Sequence, residues 1–169
     1  MIVQPTIVIN ESEVADIMKT EAPVFSHKQL AATYFNQVWD LLEKENISLE
    51  EQEQMIHLCH SSFWHWTQAE ECTEKNLSIG YWQLARVYAV VGQGENALHY
   101  AKRCISMSLE AGLAPFYIGY GYEAAARACI VLQQFDESQK YKDTAYVYVE
   151  KMTDEESKKL LLSDLESLK

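Results

Sequence analysis

The sequence is short of turn formers, with only 3 prolines and 6 glycines in 169 residues. A sheet protein spends such residues at nearly every strand connection, so a sandwich or barrel is disfavoured and long helices with few loops fit better. Positive charge is also scarce. Fourteen Lys/Arg face 25 Asp/Glu, a net charge of −11, and the electrostatic footprint of a nucleic-acid or anionic-membrane binder is missing. The shortage is concentrated at one end: residues 1–72 carry 3 Lys/Arg and 12 Asp/Glu, residues 73–169 carry 11 and 13. No apolar run approaches the ~18–20 residues a membrane helix needs. Neither a basic segment nor a long apolar stretch precedes Glu11, so no secretory signal is read and a cytoplasmic location is expected.

Chemical signatures are equally sparse. There is no G-x-S-x-G elbow and no HExxH, and Gly92-Gln93-Gly94 is too short to cradle a phosphate. The four cysteines, Cys59, Cys72, Cys104 and Cys129, are far apart in helical patterns, which points to buried reduced thiols rather than disulfides. None has neighbours that would lower its pKa. The expectation is a non-enzyme with no cofactor and no bound metal.

What is present is hydrophobic periodicity. With 48% hydrophobic residues, the chain can build one compact domain over 26–169, preceded by an arm, 1–25, in which Glu11 to Lys19 has the pattern of a short helix. Ser26-His27-Lys28-Gln29 is a capping box, and Leu30, Tyr34, Val38, Leu41 and Leu42 then keep the helical period to about Lys44. A second box, Ser48-Leu49-Glu50-Glu51, opens a helix to about Cys72 with Met55, Cys59, Phe63 and Trp66 on one face. From Asn76, Tyr81, Leu84, Ala85, Tyr88 and Val91 mark a helix ending near Gly92. Its partner carries Ala97, Leu98, Ala101, Cys104 and Ile105 and stops at Gly112, a C′ glycine. Tyr122, Ala125, Ala126 and Cys129, then Tyr141, Ala145, Tyr148 and Met152, outline another pair around Gln133-Gln134. Thr153-Asp154-Glu155-Glu156 reads as a third box, opening a last helix with Leu161, Leu162, Leu165 and Leu168.

Sliding the chain along itself at one fixed offset superposes the last two pairs: Gly80 on Gly121, Tyr81 on Tyr122, Ala85 on Ala126, Arg86 on Arg127 and Tyr100 on Tyr141. Small residues recur where helices must approach and large ones where a gap needs filling, as in helical hairpins that stack on one another. The run Tyr81-Trp82-Gln83-Leu84-Ala85-Arg86-Val87-Tyr88, followed by Gly92 and Glu95-Asn96-Ala97-Leu98, resembles the tetratricopeptide repeat (TPR). Leu84, Ala85, Tyr88, Ala97 and Cys104 stand in its leucine, small, tyrosine and two alanine places. The unit around Ala125, Ala126, Cys129, Phe135-Asp136-Glu137, Ser138 and Ala145 resembles it more distantly. Both lack the terminal proline, and the spacing from Gly80 to Gly121 is longer than the family's period. The resemblance implies an all-α, right-handed superhelix of antiparallel pairs: a divergent pair at 26–72, repeats at 77–112 and 115–152, and a capping helix at 153–168.

The same resemblance implies a concave groove with Ile79, Trp82, Arg86, Ala89 and Val90, then Tyr120, Glu123, Arg127, Ile130 and Val131, facing it. Trp82, Arg86, Tyr120, Glu123 and Arg127 are the candidate binding residues, able to hold a carboxylate or an extended peptide through planar Arg donors beside aromatic rings. The competing reading pairs the two arginines with Glu123 inside the molecule and leaves Trp82 in the core. The lysine- and asparagine-based clamp of chaperone-binding members is not evident, because Trp82 and Gln83 occupy two of its places. The leading expectation is therefore a protein- or peptide-binding module. A sensory or regulatory domain for a small effector or signalling peptide is the alternative, marked by an enclosed pocket. A metal-dependent enzyme built on His57, His60 and His65 comes last, since those side chains share only a broad sector of one helix. Homodimerisation through exposed end faces or the apolar arm is compatible with each reading.

Overall fold

The computed structural model describes residues 24–168; of the arm at 1–25, residues 1–23, with the expected short helix, lie outside them. The described residues form seven α-helices and no strand: α1 His27–Leu42, α2 Leu49–Gln68, α3 Glu74–Val90, α4 Gly94–Glu110, α5 Pro115–Val131, α6 Phe135–Val149 and α7 Glu155–Ser167. None of them is long and apolar enough to cross a membrane.

Local sequence sets most of the boundaries. Ser26 and Ser48 cap α1 and α2 in complete capping boxes, with Gln29 and Glu51 reaching back to the cap amides at 2.9 Å. A box that sequence reasoning passes over starts α3. Thr73 accepts from the Asn76 amide while Asn76 accepts from the Thr73 amide, so the helix begins two residues before Asn76. Asparagine performs the return contact usually made by Glu or Gln, which hides the pattern. Two further expectations are corrected. The last helix is capped by Asp154, not Thr153, because the Asp154 carboxylate accepts from the Ser157 amide at 2.8 Å. Helix α2 stops at Gln68, four residues short of Cys72, with Ala69 in extended backbone. Cys72 therefore lies between helices and half-exposed, while Cys59, Cys104 and Cys129 are buried; all four are free thiols.

The repeat is kept in the backbone. Helix α5 starts at Pro115 as α3 starts at Glu74, α6 at Phe135 as α4 at Gly94, and Val131 ends α5 as Val90 ends α3, all at the same offset. Tyr81–Tyr100 and Tyr122–Tyr141 have the same ring-centroid separation, 6.3 Å. A Cβ on Gly80 would lie 2.6 Å from the Phe63 ring, and one on Gly121 would lie 2.9 Å from Ile105 Cγ1. At both positions a helix of the preceding pair comes too close for a side chain.

Each even-numbered helix follows its partner through a short connection and packs along it, while α3 also packs on α5 and α5 on α7. Single buried side chains tie neighbours together: Ser62 donates to Ala31 O, Gln83 to Phe35 O and Ser138 to Ala126 O. The core runs from Val38, Met55 and Cys59, through Leu84, Ala101 and Ala125, to Val149, Leu161 and Leu165.

The turns between paired helices show one departure from the repeat. After α3 the chain reverses at Gly92, φ 77°; after α5 the equivalent residue is Gln133, φ 59°. Both turns are closed by the same pair of amide contacts, Gln93 N to Tyr88 O and Gln134 N to Cys129 O being 2.8 Å. A non-glycine residue in left-handed backbone costs about 1–2 kcal/mol. Gln133→Gly is therefore expected to stabilise the fold by about 0.5–1 kcal/mol after the greater entropy of glycine in the unfolded chain is allowed for. Chemical denaturation would read this as a higher midpoint with an unchanged slope; a lower midpoint would mean that the Gln133 side chain is holding the turn.

Candidate functional site

The odd-numbered helices α1, α3, α5 and α7, with Cys104 of α4, place side chains around a cavity of about 480 Å³. Its apolar wall is mainly aromatic: Trp39 from α1, Trp82 from α3, and Phe116, Tyr117 and Tyr120 from α5, with Ile79 and Leu160 completing it. These rings brace one another. Trp82 lies 5.6 Å from Trp39 and meets Tyr120 edge-on at 5.5 Å, and Tyr120 meets Phe116 at 4.8 Å. Such edge-on and tilted pairs are favoured by the ring quadrupoles and hold each indole or phenol in place. Polar groups enter at few points: Arg86, Asp164, and the Ser78 and Cys104 side chains. The Ser78 hydroxyl is engaged with Ser108 at 2.6 Å, and burial pushes the Cys104 thiol up to about 11.

Behind this wall lies a buried ion cluster. Glu123 is 1% exposed, and both Nε and Nη2 of Arg127, one helical turn on, donate to its Oε1. Arg86 Nη1 stands 3.8 Å from the same oxygen. Burial pushes the Glu123 carboxyl above the usual carboxylate range, against the pull of Arg127 and then Arg86. Burial, and then the neighbouring Arg127, lowers the Arg86 guanidinium from its ordinary value. Two buried atoms, Glu123 Oε2 and Trp82 Nε1, have no hydrogen-bond partner among the described residues. Tyr120 donates to Asp164 Oδ2 at 3.0 Å, and burial followed by the Asp164 charge raises its phenol.

The five nominated residues thus divide. Trp82, Arg86 and Tyr120 come together on the cavity wall. Glu123, expected on the groove surface, is buried, and Arg127 is spent on it. The i, i+4 spacing of Glu123 and Arg127 was legible, but only packing could show which side of α5 is covered. Ala89, also expected to face the groove, is buried in the core. Sequence reasoning misses Trp39, Phe116, Tyr117, Leu160 and Asp164. For Trp39, Leu160 and Asp164 the signal is indirect, because it requires knowing that α1 and α7 flank the α3–α5 surface; Phe116 and Tyr117 lie in the first turn of α5, ahead of the groove-facing positions that the repeat implies.

The histidines do not converge. His57 is exposed beside Glu53, His60 pairs with the Tyr88 hydroxyl at 2.8 Å, and His65 meets His27 of α1 with 2.8 Å between their Nδ1 atoms. Burial lowers His60 and His65 alike. No group of three or more metal-ligating side chains occurs among the described residues.

The described residues are thus helical hairpins in succession, closed by α7, with an aromatic pocket lined by α1, α3, α5 and α7 and by Cys104 of α4. Comparison with family models, with curated proteins and with solved structures finds no match for this chain.

Proposed function

We propose that this chain is a non-catalytic binding module with a TPR-like architecture, which takes up a small effector in the pocket and passes on its occupancy to a protein partner. The stack would be a right-handed superhelix, with α1, α3, α5 and α7 as its concave face. One observation carries the reading. The cavity, about 480 Å³, is mostly apolar, aromatic and furnished with very few polar groups, which is the make-up of small-molecule sites of roughly 300–1,000 Å³. The repeat, with its close-approach glycines at 80 and 121, supports the architecture. A cytoplasmic setting suits the free thiols.

Recruitment of an extended protein segment is the second reading. It is favoured by Val90, 44% exposed and one turn beyond Arg86, which continues the apolar surface of α3 outside the pocket. Leu160 separates the two. It is 59% exposed at the pocket rim, so Leu160→Trp should fill the mouth with little effect on the core. Small amphiphilic compounds are expected to raise the melting temperature of the wild type and to leave that of Leu160→Trp unmoved. If no compound acts but a displayed peptide library yields binders that Leu160→Trp retains, the second reading replaces the first. Silence in both screens would sink both.

A further inference from the structure

We propose that the pocket is a site for a free amino acid with a large apolar side chain, its carboxylate held by Arg86 and its ammonium group by Asp164. This rests on the effector reading above and names the ligand. The pocket wall holds unspent polar capacity. Arg86 presents a planar fork of five donors, yet it donates no hydrogen bond among the described residues. Its one ion-pair contact there is the 3.8 Å approach to Glu123 Oε1, an oxygen already taken by two donors of Arg127. The Asp164 carboxylate receives one bond among the described residues, from Tyr120 to Oδ2, and a carboxylate has about four acceptor positions. Both side chains line the same cavity without pairing to one another.

Charge complementarity then selects the ligand. A simple carboxylate would satisfy Arg86 but bring a second anion towards Asp164. A simple amine would reverse the conflict. A zwitterion with its two charges a few atoms apart meets both, and its neutral sum matches a wall carrying one cation and one anion. Trp39, Trp82 and Phe116 offer the remaining volume to an apolar side chain. Aromatic faces near the head group also favour an ammonium over a neutral amine.

The test compares L-phenylalanine with 3-phenylpropanoate, which lacks the ammonium, with 2-phenylethylamine, which lacks the carboxylate, and with glycine, which lacks the side chain. Binding to the full chain is measured by calorimetry. Phenylalanine is expected to bind at least about tenfold more tightly than each of the others, the increment of one charge-assisted contact or of a buried ring. Arg86→Gln should erase the preference for phenylalanine over phenylethylamine, and Asp164→Asn the preference over phenylpropanoate. Arg86→Lys, which keeps the charge beside Glu123, should keep part of the preference and covers the case in which Arg86→Gln does not fold. Equal binding of either analogue by the wild type overturns the proposal, as does a preference that survives both variants. Uncharged amphiphiles that bind and are blocked by Leu160→Trp would overturn the amino-acid assignment and leave the pocket reading standing. If nothing binds, both fall.

Discussion

Glu123→Ala is expected to destabilise the fold by about 3–5 kcal/mol, the range for breaking a buried ion pair by removing one partner. The cost comes less from the lost attraction than from what remains. Arg127 and Arg86, with side chains 18% and 25% exposed, would face one another around a vacated space with no anion between them. Desolvation made tolerable by Glu123 would then be uncompensated. The double variant Glu123→Leu with Arg127→Leu removes both charges of the closer pair and is expected to lose far less, within about 2 kcal/mol of wild type, because well-packed apolar residues often replace such pairs at little cost. Urea denaturation of the three proteins checks this. A single variant no worse than a surface substitution, about 0.5 kcal/mol, would mean that the cluster is hydrated.

The second large effect belongs to α7. Leu161 is fully buried, and its Cδ2 would lie 2.6 Å from a Cβ on Gly119 of α5, so the two helices meet with no room to spare. Leu161→Ala should cost about 2–5 kcal/mol, since contacts this close relax poorly into a cavity. Its neighbour Leu160 is exposed, and Leu160→Ala should stay within about 0.5 kcal/mol. The consequence extends to function, because α7 also brings Leu160 and Asp164 to the pocket. Pocket ligands are expected to bind Leu161→Ala more weakly even under conditions where the protein remains folded. Undiminished binding there would show that α5 and α3 form the pocket without α7.

Much of this architecture could be read from short-range chemistry. Ser26 and Ser48 each announced a helix start, because a capping box is a contact among four consecutive residues and needs nothing else. Gly92 and Gly112 announced two stops through their freedom to adopt left-handed backbone. The misread boundaries have equally local causes: Asn76 serving as the return acceptor for Thr73, and Asp154 capping in place of its neighbour Thr153. The end of α2 is different. Nothing in Ala69-Glu70-Glu71-Cys72 breaks a helix, yet Ala69 is extended, and α3 starts at its own cap on Thr73 with Gly80 laid against Phe63.

Legible in the residues alone are the helical character of the described chain, where most helices begin and end, and the recurrence of two pairs at the spacing that sets Gly80 on Gly121. Those features follow from periodicity, capping and the recurrence of small residues, which act over one or two helical turns. Packing settles which face of α5 is covered, and so turns Glu123 and Arg127 from candidate groove residues into a buried pair beneath the wall. Packing also brings Trp39 and Asp164, from opposite ends of the described chain, to the same cavity as Arg86. A pocket is the space left when several helices pack, a property of their mutual placement that no single helix encodes.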